Sequence, residues 1–202
     1  TGLHDEIPDL PGGRERWGRD LLHCPYCHGW EVRDEPLGVL GTNPGSVHHA
    51  LLVRQWSDDV AFFAHTHPLS DDERRRLAAR GIDVIDGQVA GLVVEDDRLA
   101  GVALVDGRVV ARTAVFVRPG LHPHPDGLLA ALGCEHDDAG FVVTDPMGQT
   151  SSPGVWAAGN VTDPRAQVIT AAGAGSAAAI AINNDLVEAD TDHAVRALDP
   201  RP

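Results

Sequence analysis

The chain contains no lysine: all 16 strongly basic residues are arginine, they face 30 Asp and Glu, and the formal net charge is −14. The missing lysine carries no mechanistic weight of its own, but the missing basic stripe does. Phosphate backbones and anionic bilayers are held by clustered Lys and Arg that release counterions, so neither nucleic acid nor a membrane surface is an expected partner. No apolar run approaches the ~20 residues that cross a bilayer, and no charged-then-apolar leader precedes the first elements. A soluble, cytoplasmic protein is the expectation. Aromatic residues make up only 4% of the chain, against 22 glycines, a balance unlike an aromatic-rich β sandwich and like a Gly/Ala/Val-rich nucleotide-binding α/β protein. The three cysteines are few and odd in number, unlike a secreted disulfide framework.

At 202 residues and 43% hydrophobic content, the chain suffices for one large or two small domains. It opens on Thr1-Gly2-Leu3 and runs through a connector, Pro8-Asp9-Leu10-Pro11-Gly12-Gly13. After it come a strand over Leu37–Gly41, a turn through Thr42-Asn43-Pro44-Gly45-Ser46, helical spacing from Val47 to Trp56, and a strand over Val60–Phe63, a β-α-β unit. Ser70 caps a polar helix over Asp71–Arg80 that Gly81 closes, and Asp83-Val84-Ile85 follows as a third strand. Val89 to Asp106 alternates as a hairpin around Asp96-Asp97, an edge strand starts near Gly107-Arg108, and Ala114–Val117 returns to the sheet. This order predicts an α/β, Rossmann-like, three-layer domain with a β excursion. Further strands are expected over Phe141–Thr144 and Val155–Ala158, and a small-residue helix from about Gln167 to Val187, with a polar tail after it.

The segment richest in chemistry is His23-Cys24-Pro25-Tyr26-Cys27-His28-Gly29-Trp30. In Cys-x-x-Cys one thiolate attacks and the other resolves, and His28 is placed to move the accompanying proton. Zinc is a second reading, with His23, Cys24, Cys27 and His28 as ligands, although no further Cys/His pair lies at suitable spacing. Cys-x-x-Cys-His is also the attachment pattern of c-type haem, for which Met147, the single methionine, sits in a turn. Cys-Pro-Tyr-Cys matches the glutaredoxin tetrad as well, but here a nucleotide-type unit follows it. Two buried structural thiols are the plainest alternative, and buried structural packing is the reading for Cys134.

The order of motifs resembles the low-molecular-weight thioredoxin reductases, which are FAD- and NAD(P)-dependent pyridine nucleotide-disulfide oxidoreductases. The resemblance rests on the cysteine pair, the β-α-β unit, Gly154-Val155-Trp156-Ala157-Ala158-Gly159-Asn160-Val161, and Gln167-Val168-Ile169-Thr170-Ala171-Ala172-Gly173. It implies that residues 1–123 hold the connector, the redox pair and an NAD(P)-binding-like domain. Residues 124–190 would be the C-terminal part of an FAD-binding domain, and 191–202 a polar tail. It implies that Cys24 exchanges with a substrate disulfide or dithiol, that Cys27 faces the flavin, and that His28 stands where the family places a proton-handling Asp. Gly159, Asn160, Gln167 and Val168 would meet FAD, and Gly41, Gly45 and Ser46 would meet NADPH or NADH. The family also implies a homodimer, and a small protein or small molecule as the disulfide or dithiol partner.

Three departures qualify the resemblance. The Gly-x-Gly-x-x-Gly strand-turn-helix for the ADP half of FAD is absent, so roughly a domain's worth of residues is expected upstream, and this stretch alone should bind FAD poorly and be inactive. Asn43 replaces a glycine in the nucleotide turn, and Pro44 removes an N–H. The paired arginines that select a 2′-phosphate are replaced by His65-Thr66-His67. A subgroup of the family with a His after its cysteine pair and an eroded nucleotide site acts as flavin-dependent dithiol oxidases, passing electrons to oxygen without NADPH, and His23–Gly29 resembles that subgroup. Outside this chemistry, a non-catalytic redox-sensing or zinc-binding module remains an alternative.

Overall fold

The structure, a computed structural model, describes residues 2–124 and 127–198. In chain order its elements are β1 (Leu3–Glu6), α1 (Gly13–Arg16), β2 (Leu21–Leu22), α2 (Pro25–His28), β3 (Leu37–Leu40), α3 (Gly45–Val53), β4 (Val60–Phe63) and α4 (Asp71–Ala79). They continue with β5 (Asp83–Ile85), β6 (Val89–Glu95), β7 (Arg98–Leu104), β8 (Val109–Ala111), β9 (Ala114–Val117), β10 (Gly120–Pro123), α5 (Leu128–Ala131) and α6 (Val168–Leu198). The chain divides into two compact units: Glu6–Gly120, and a second made of Thr1–Asp5 with Leu121–Pro202.

The Glu6–Gly120 unit is built on a five-stranded sheet ordered β2-β9-β3-β4-β5, all parallel. Its central strands are continuous apolar runs because both faces are covered. One face buries Val39, Phe62 and Phe116 with Val47, Ala50 and Val53 of α3 and Leu77 of α4. The other buries Leu40, Phe63, Val115 and Val117 against Val89, Leu99, Val102 and Leu104 of the antiparallel sheet β6-β7-β8. Neighbouring residues of one strand thus serve opposite layers, as the two-residue period requires. The α/β class and the β excursion read from the sequence are both present.

Local chemistry fixes the boundaries. Ser70 and Glu73 form a reciprocal capping box at the start of α4. The β6–β7 turn has Asp96 and Asp97 at φ 48° and 59°, a backbone region that Asp tolerates better than most residues. Asp97 then takes both Arg16 and Arg19, while the buried Arg16 also pairs with Asp20. Asp20 in turn accepts the Leu99 N–H at 2.9 Å, so one carboxylate joins α1 to β7. Helix α3 differs slightly from expectation: it starts at Gly45, and Arg54–Trp56 are short turns rather than helix.

In the second unit β1 and β10 form a two-stranded ribbon. Phe141–Thr144 and Val155–Ala158 are not regular strands; they make only the single bridges His136↔Val142, Thr144↔Thr150 and Gln149↔Trp156. Left-handed Gly148 (φ 84°) and Gly154 (φ 78°), with Pro146 and Pro153 beside them, turn the chain before a ladder can extend. Helix α6 runs past Val187 to Leu198, so Asp190 and Asp192 are helical rather than part of a tail. No Gly or Pro stands between Val187 and Leu198, and acidic residues alone do not stop a helix. Asp199 and Pro200, also read as tail, lie outside the described residues. No helix is long and apolar enough to cross a membrane among the described residues.

Arg16 and Asp20 have side chains only 5% and 14% exposed. Replacing Asp20 by Ala removes the carboxylate shared by Arg16 and the Leu99 N–H. Unfolding by urea should show a loss of about 2 kcal/mol, since the Leu99 N–H loses its acceptor while Arg16 keeps only the exposed Asp97.

Candidate active site

Cys24 and Cys27 are joined by a disulfide with a Cα–Cα separation of 5.2 Å. They lie in one tight turn. Cys24 is the N-cap of α2 with Pro25 at the first helical position, and its sulfur accepts the Cys27 N–H at 3.2 Å. A thiolate at Cys24 would meet the same donor. Pro25 is buried, Cys24 and His28 are half-buried, and Cys27 and Tyr26 are exposed, so the S–S bond sits at the surface of an anchored turn. His28 closes that turn, its N–H donating to the Cys24 carbonyl at 3.1 Å.

The turn is held at both ends by α3 and the loop after it. At its start the His49 Nε2–H donates to the His23 carbonyl at 2.8 Å. At its end Gly29 lies against the indole of Trp56: a Cβ there would stand 2.4 Å from Trp56 Nε1 and 2.4 Å from the Pro25 carbonyl, which leaves room only for glycine. His49 and Trp56 were not singled out in the sequence. The available signal was spacing, since His49 shares a helical face with Ser46 and Val53, three residues before it and four after.

Gly41, Gly45 and Ser46 are brought together at the loop between β3 and α3, but as a loop closed on itself. Ser46 Oγ accepts the N–H groups of Thr42 (3.1 Å) and Asn43 (3.3 Å), Asn43 Oδ1 accepts that of Gly45 (3.0 Å), and the Asn43 carbonyl accepts that of Ser46 (2.9 Å). Pro44 has no N–H to offer. The Asn43 amide also ties the loop to the Arg118 carbonyl at 3.2 Å, and the Arg118 guanidinium covers Gly45, 2.4 Å from where a Cβ would stand. A pyrophosphate is bound by free backbone N–H groups on an open glycine turn. These residues do not fit one. Beyond β4, His65 Nδ1 accepts the Val89 N–H at 3.1 Å and His67 pairs with Glu73 at 3.0 Å, so both are engaged locally.

Gly159, Asn160, Gln167 and Val168 gather in the second unit at the start of α6. Gly159 is buried at φ 88°, close under Ala171. The Asn160 amide donates to the carbonyls of Asp163 (3.1 Å) and Ala166 (3.0 Å), shaping the loop that leads into the helix. Val168 and Ile169 stand 89% and 78% exposed at the helix start, apolar side chains beside first-turn N–H groups. A flat ligand with an apolar body and an acceptor edge fits this arrangement, and a flavin ring is such a ligand. Among the described residues no group of three or more His, Cys, Asp or Glu is arranged to hold a metal ion. Cys134 is a free, buried thiol.

The chain belongs to the pyridine nucleotide-disulphide oxidoreductase family, whose model matches residues 1–176. Its relatives are thioredoxin-reductase-like. Thioredoxin reductase sirT of Leptosphaeria maculans is 31% identical over 205 residues, covering 94% of this chain and 62% of that protein. The crystal structure of HlmI is 63% identical with a TM-score of 0.93, covering 98% of this chain and 62% of that one. The thioredoxin reductase of Streptococcus pyogenes MGAS5005 is 26% identical with a TM-score of 0.80, covering 93% of this chain and 64% of that one. The chain therefore spans less than two thirds of each of these relatives. The family implies FAD and NAD(P)H. The start of α6 fits the first, and the loop after β3 does not fit the second.

Burial holds the His49 ring below its ordinary range, at about 4. Folded His49 is neutral where the unfolded residue, with its pKa near 6.5, takes up a proton, so its contribution is full above about pH 6.5 and is lost as pH falls toward 4. About 3 kcal/mol of stability should disappear across that window. Denaturation midpoints of wild type and His49→Gln, compared from pH 7 to 4, should show the variant free of this part of the acid dependence.

Proposed function

We propose that the chain is the redox half of an FAD-dependent disulfide/dithiol oxidoreductase in which electrons pass between a substrate and a flavin through Cys24 and Cys27. The observation that carries this reading is the surface disulfide on an anchored turn of a family fold. A substrate thiolate attacks Cys24 Sγ and breaks the Cys24–Cys27 bond, leaving a mixed disulfide and a Cys27 thiolate. The second substrate thiol, deprotonated, attacks the mixed disulfide; the substrate leaves as a disulfide and both cysteines are reduced. His28 takes up and releases the protons. FAD, when bound by Gly159, Asn160, Gln167 and Val168, would accept the electron pair and so return Cys24 and Cys27 to the disulfide.

The closed loop supports one direction of flow. The loop after β3 has its N–H groups satisfied internally and offers none of them to a nicotinamide cofactor, so the substrate dithiol is the reductant, and dioxygen, leaving as hydrogen peroxide, balances the two electrons. This favours a dithiol oxidase over an NADPH-driven reductase. The substrate is a dithiol on a small protein or small molecule, and the complete protein works as a homodimer in the cytoplasm.

Two measurements test this. In the complete protein loaded with FAD, under argon, a dithiol should bleach the flavin at least about 100-fold faster than NADPH, the scale set by losing a few hydrogen bonds to a phosphate. Equal or faster bleaching by NADPH would favour the reductase. Replacing His28 by Ala should slow dithiol oxidation by about 100-fold. Unchanged turnover removes His28 from the mechanism.

A further inference from the structure

The mechanism uses Cys24, Cys27 and His28 but leaves His49, a buried side chain bonded to the residue before Cys24, without a task. His49 is 6% exposed, and its only hydrogen bond among the described residues is the 2.8 Å donation from Nε2 to the carbonyl of His23, the residue before Cys24. Because a carbonyl only accepts, the proton sits on Nε2 and Nδ1 is bare. Nδ1 is buried and has no partner among the described residues. The ring is boxed edge-on by Phe116 at 6.0 Å and by the His23 ring at 6.2 Å. A fully paired or apolar residue would pack here without an orphaned nitrogen, which ordinarily costs stability, so what the ring contributes is the single N–H aimed at His23.

Helix α3 therefore has two jobs in one turn. Ser46 closes the loop before it, and His49, three residues on, holds the chain where it enters the redox turn. We propose that His49 is a positioning residue for the redox pair: its N–H fixes the His23 carbonyl and so keeps Cys24 at the N-cap of α2, within reach of Cys27, when the disulfide is open. Holding two thiols together raises their effective concentration and favours the disulfide, as preorganisation does for any ring closure. This rests on Cys24 and Cys27 being a reversible redox pair.

Equilibration of the chain with mixtures of reduced and oxidised dithiothreitol, followed by alkylation of free thiols, tests it. The exchange is balanced: dithiothreitol closes to its cyclic disulfide as Cys24–Cys27 opens to two thiols. In His49→Leu the pair should open at a reduced-to-oxidised ratio about fivefold lower than in wild type, the equivalent of one net hydrogen bond. His49→Gln places an amide N–H where Nε2 stood and should return the equilibrium to within about twofold of wild type. His49→Asn, too short to reach the carbonyl, should behave like Leu, and it serves with Gln if Leu fails to fold. A structural role alone would leave the equilibrium of every folded variant at the wild-type value; that result, or a Gln variant as shifted as Asn, overturns the proposal. A wild-type pair that does not open and close reversibly overturns both this inference and the redox reading. A reversible wild-type pair with unshifted variants overturns this inference alone.

Discussion

The seat of α3 on the parallel sheet is the constraint from which the rest of the Glu6–Gly120 unit follows. Val47, Ala50 and Val53 bury one side of the helix against Val39, Phe62 and Phe116, and strand β3 delivers the chain to it through Gly41. Gly41 cannot carry a side chain: a Cβ would stand 2.8 Å from the carbonyls of both Phe63 and Ala64. With the strand, the turn and the helix axis fixed in this way, the positions of Ser46 and His49 are fixed too. The loop before the helix and the turn beside it then depend on which atoms those two residues present.

What Ser46 presents is an acceptor, and that is decisive for the loop. A glycine-rich turn binds pyrophosphate because its N–H groups converge on empty space. Here a buried hydroxyl and an Asn side chain fill that role, and the chain itself is the ligand of its own loop. The geometry of the family persists while the donor set is consumed. The fold therefore says less about what this loop can bind than the four hydrogen bonds that close it do, which is the general reason to argue function from sites.

Much of this was legible in the sequence, for identifiable reasons. Ser70 with Glu73, the Asp96-Asp97 turn between alternating runs, and the apolar strands Leu37–Leu40 and Val60–Phe63 carry local signals strong enough to survive tertiary context. Asn43 and Pro44 marked the loop as altered, but not that it is closed, because closure depends on the rotamers of Ser46 and Asn43. The second unit was less readable. Its segments over Phe141–Thr144 and Val155–Ala158 have strand-like composition, yet they make only single bridges, and pairing is a property of neighbours rather than of a segment. The end of α6 is poorly marked in the sequence, because the polar residues after Val187 suggest a boundary where no helix breaker exists. His49 lay hidden for a related reason: a histidine among apolar helix positions is indistinguishable in sequence from ordinary packing until its partner is known.

The choice of an imidazole at that position has a physical logic. A donor beneath an apolar-packed turn must be neutral, since an ammonium or guanidinium would need a buried counter-charge that the unit does not provide there. To act as a positioning residue it must also stay a donor whether the Cys24–Cys27 disulfide is closed or open. Burial keeps the His49 ring neutral down to about pH 4, and the His23 carbonyl selects the tautomer, so above that pH the N–H neither titrates nor turns away. His28, half-buried in the same turn, has solvent access and no ring hydrogen bond among the described residues. Two histidines of the same intrinsic chemistry are thereby divided by environment alone, one buried with its N–H on a carbonyl and the other open to solvent.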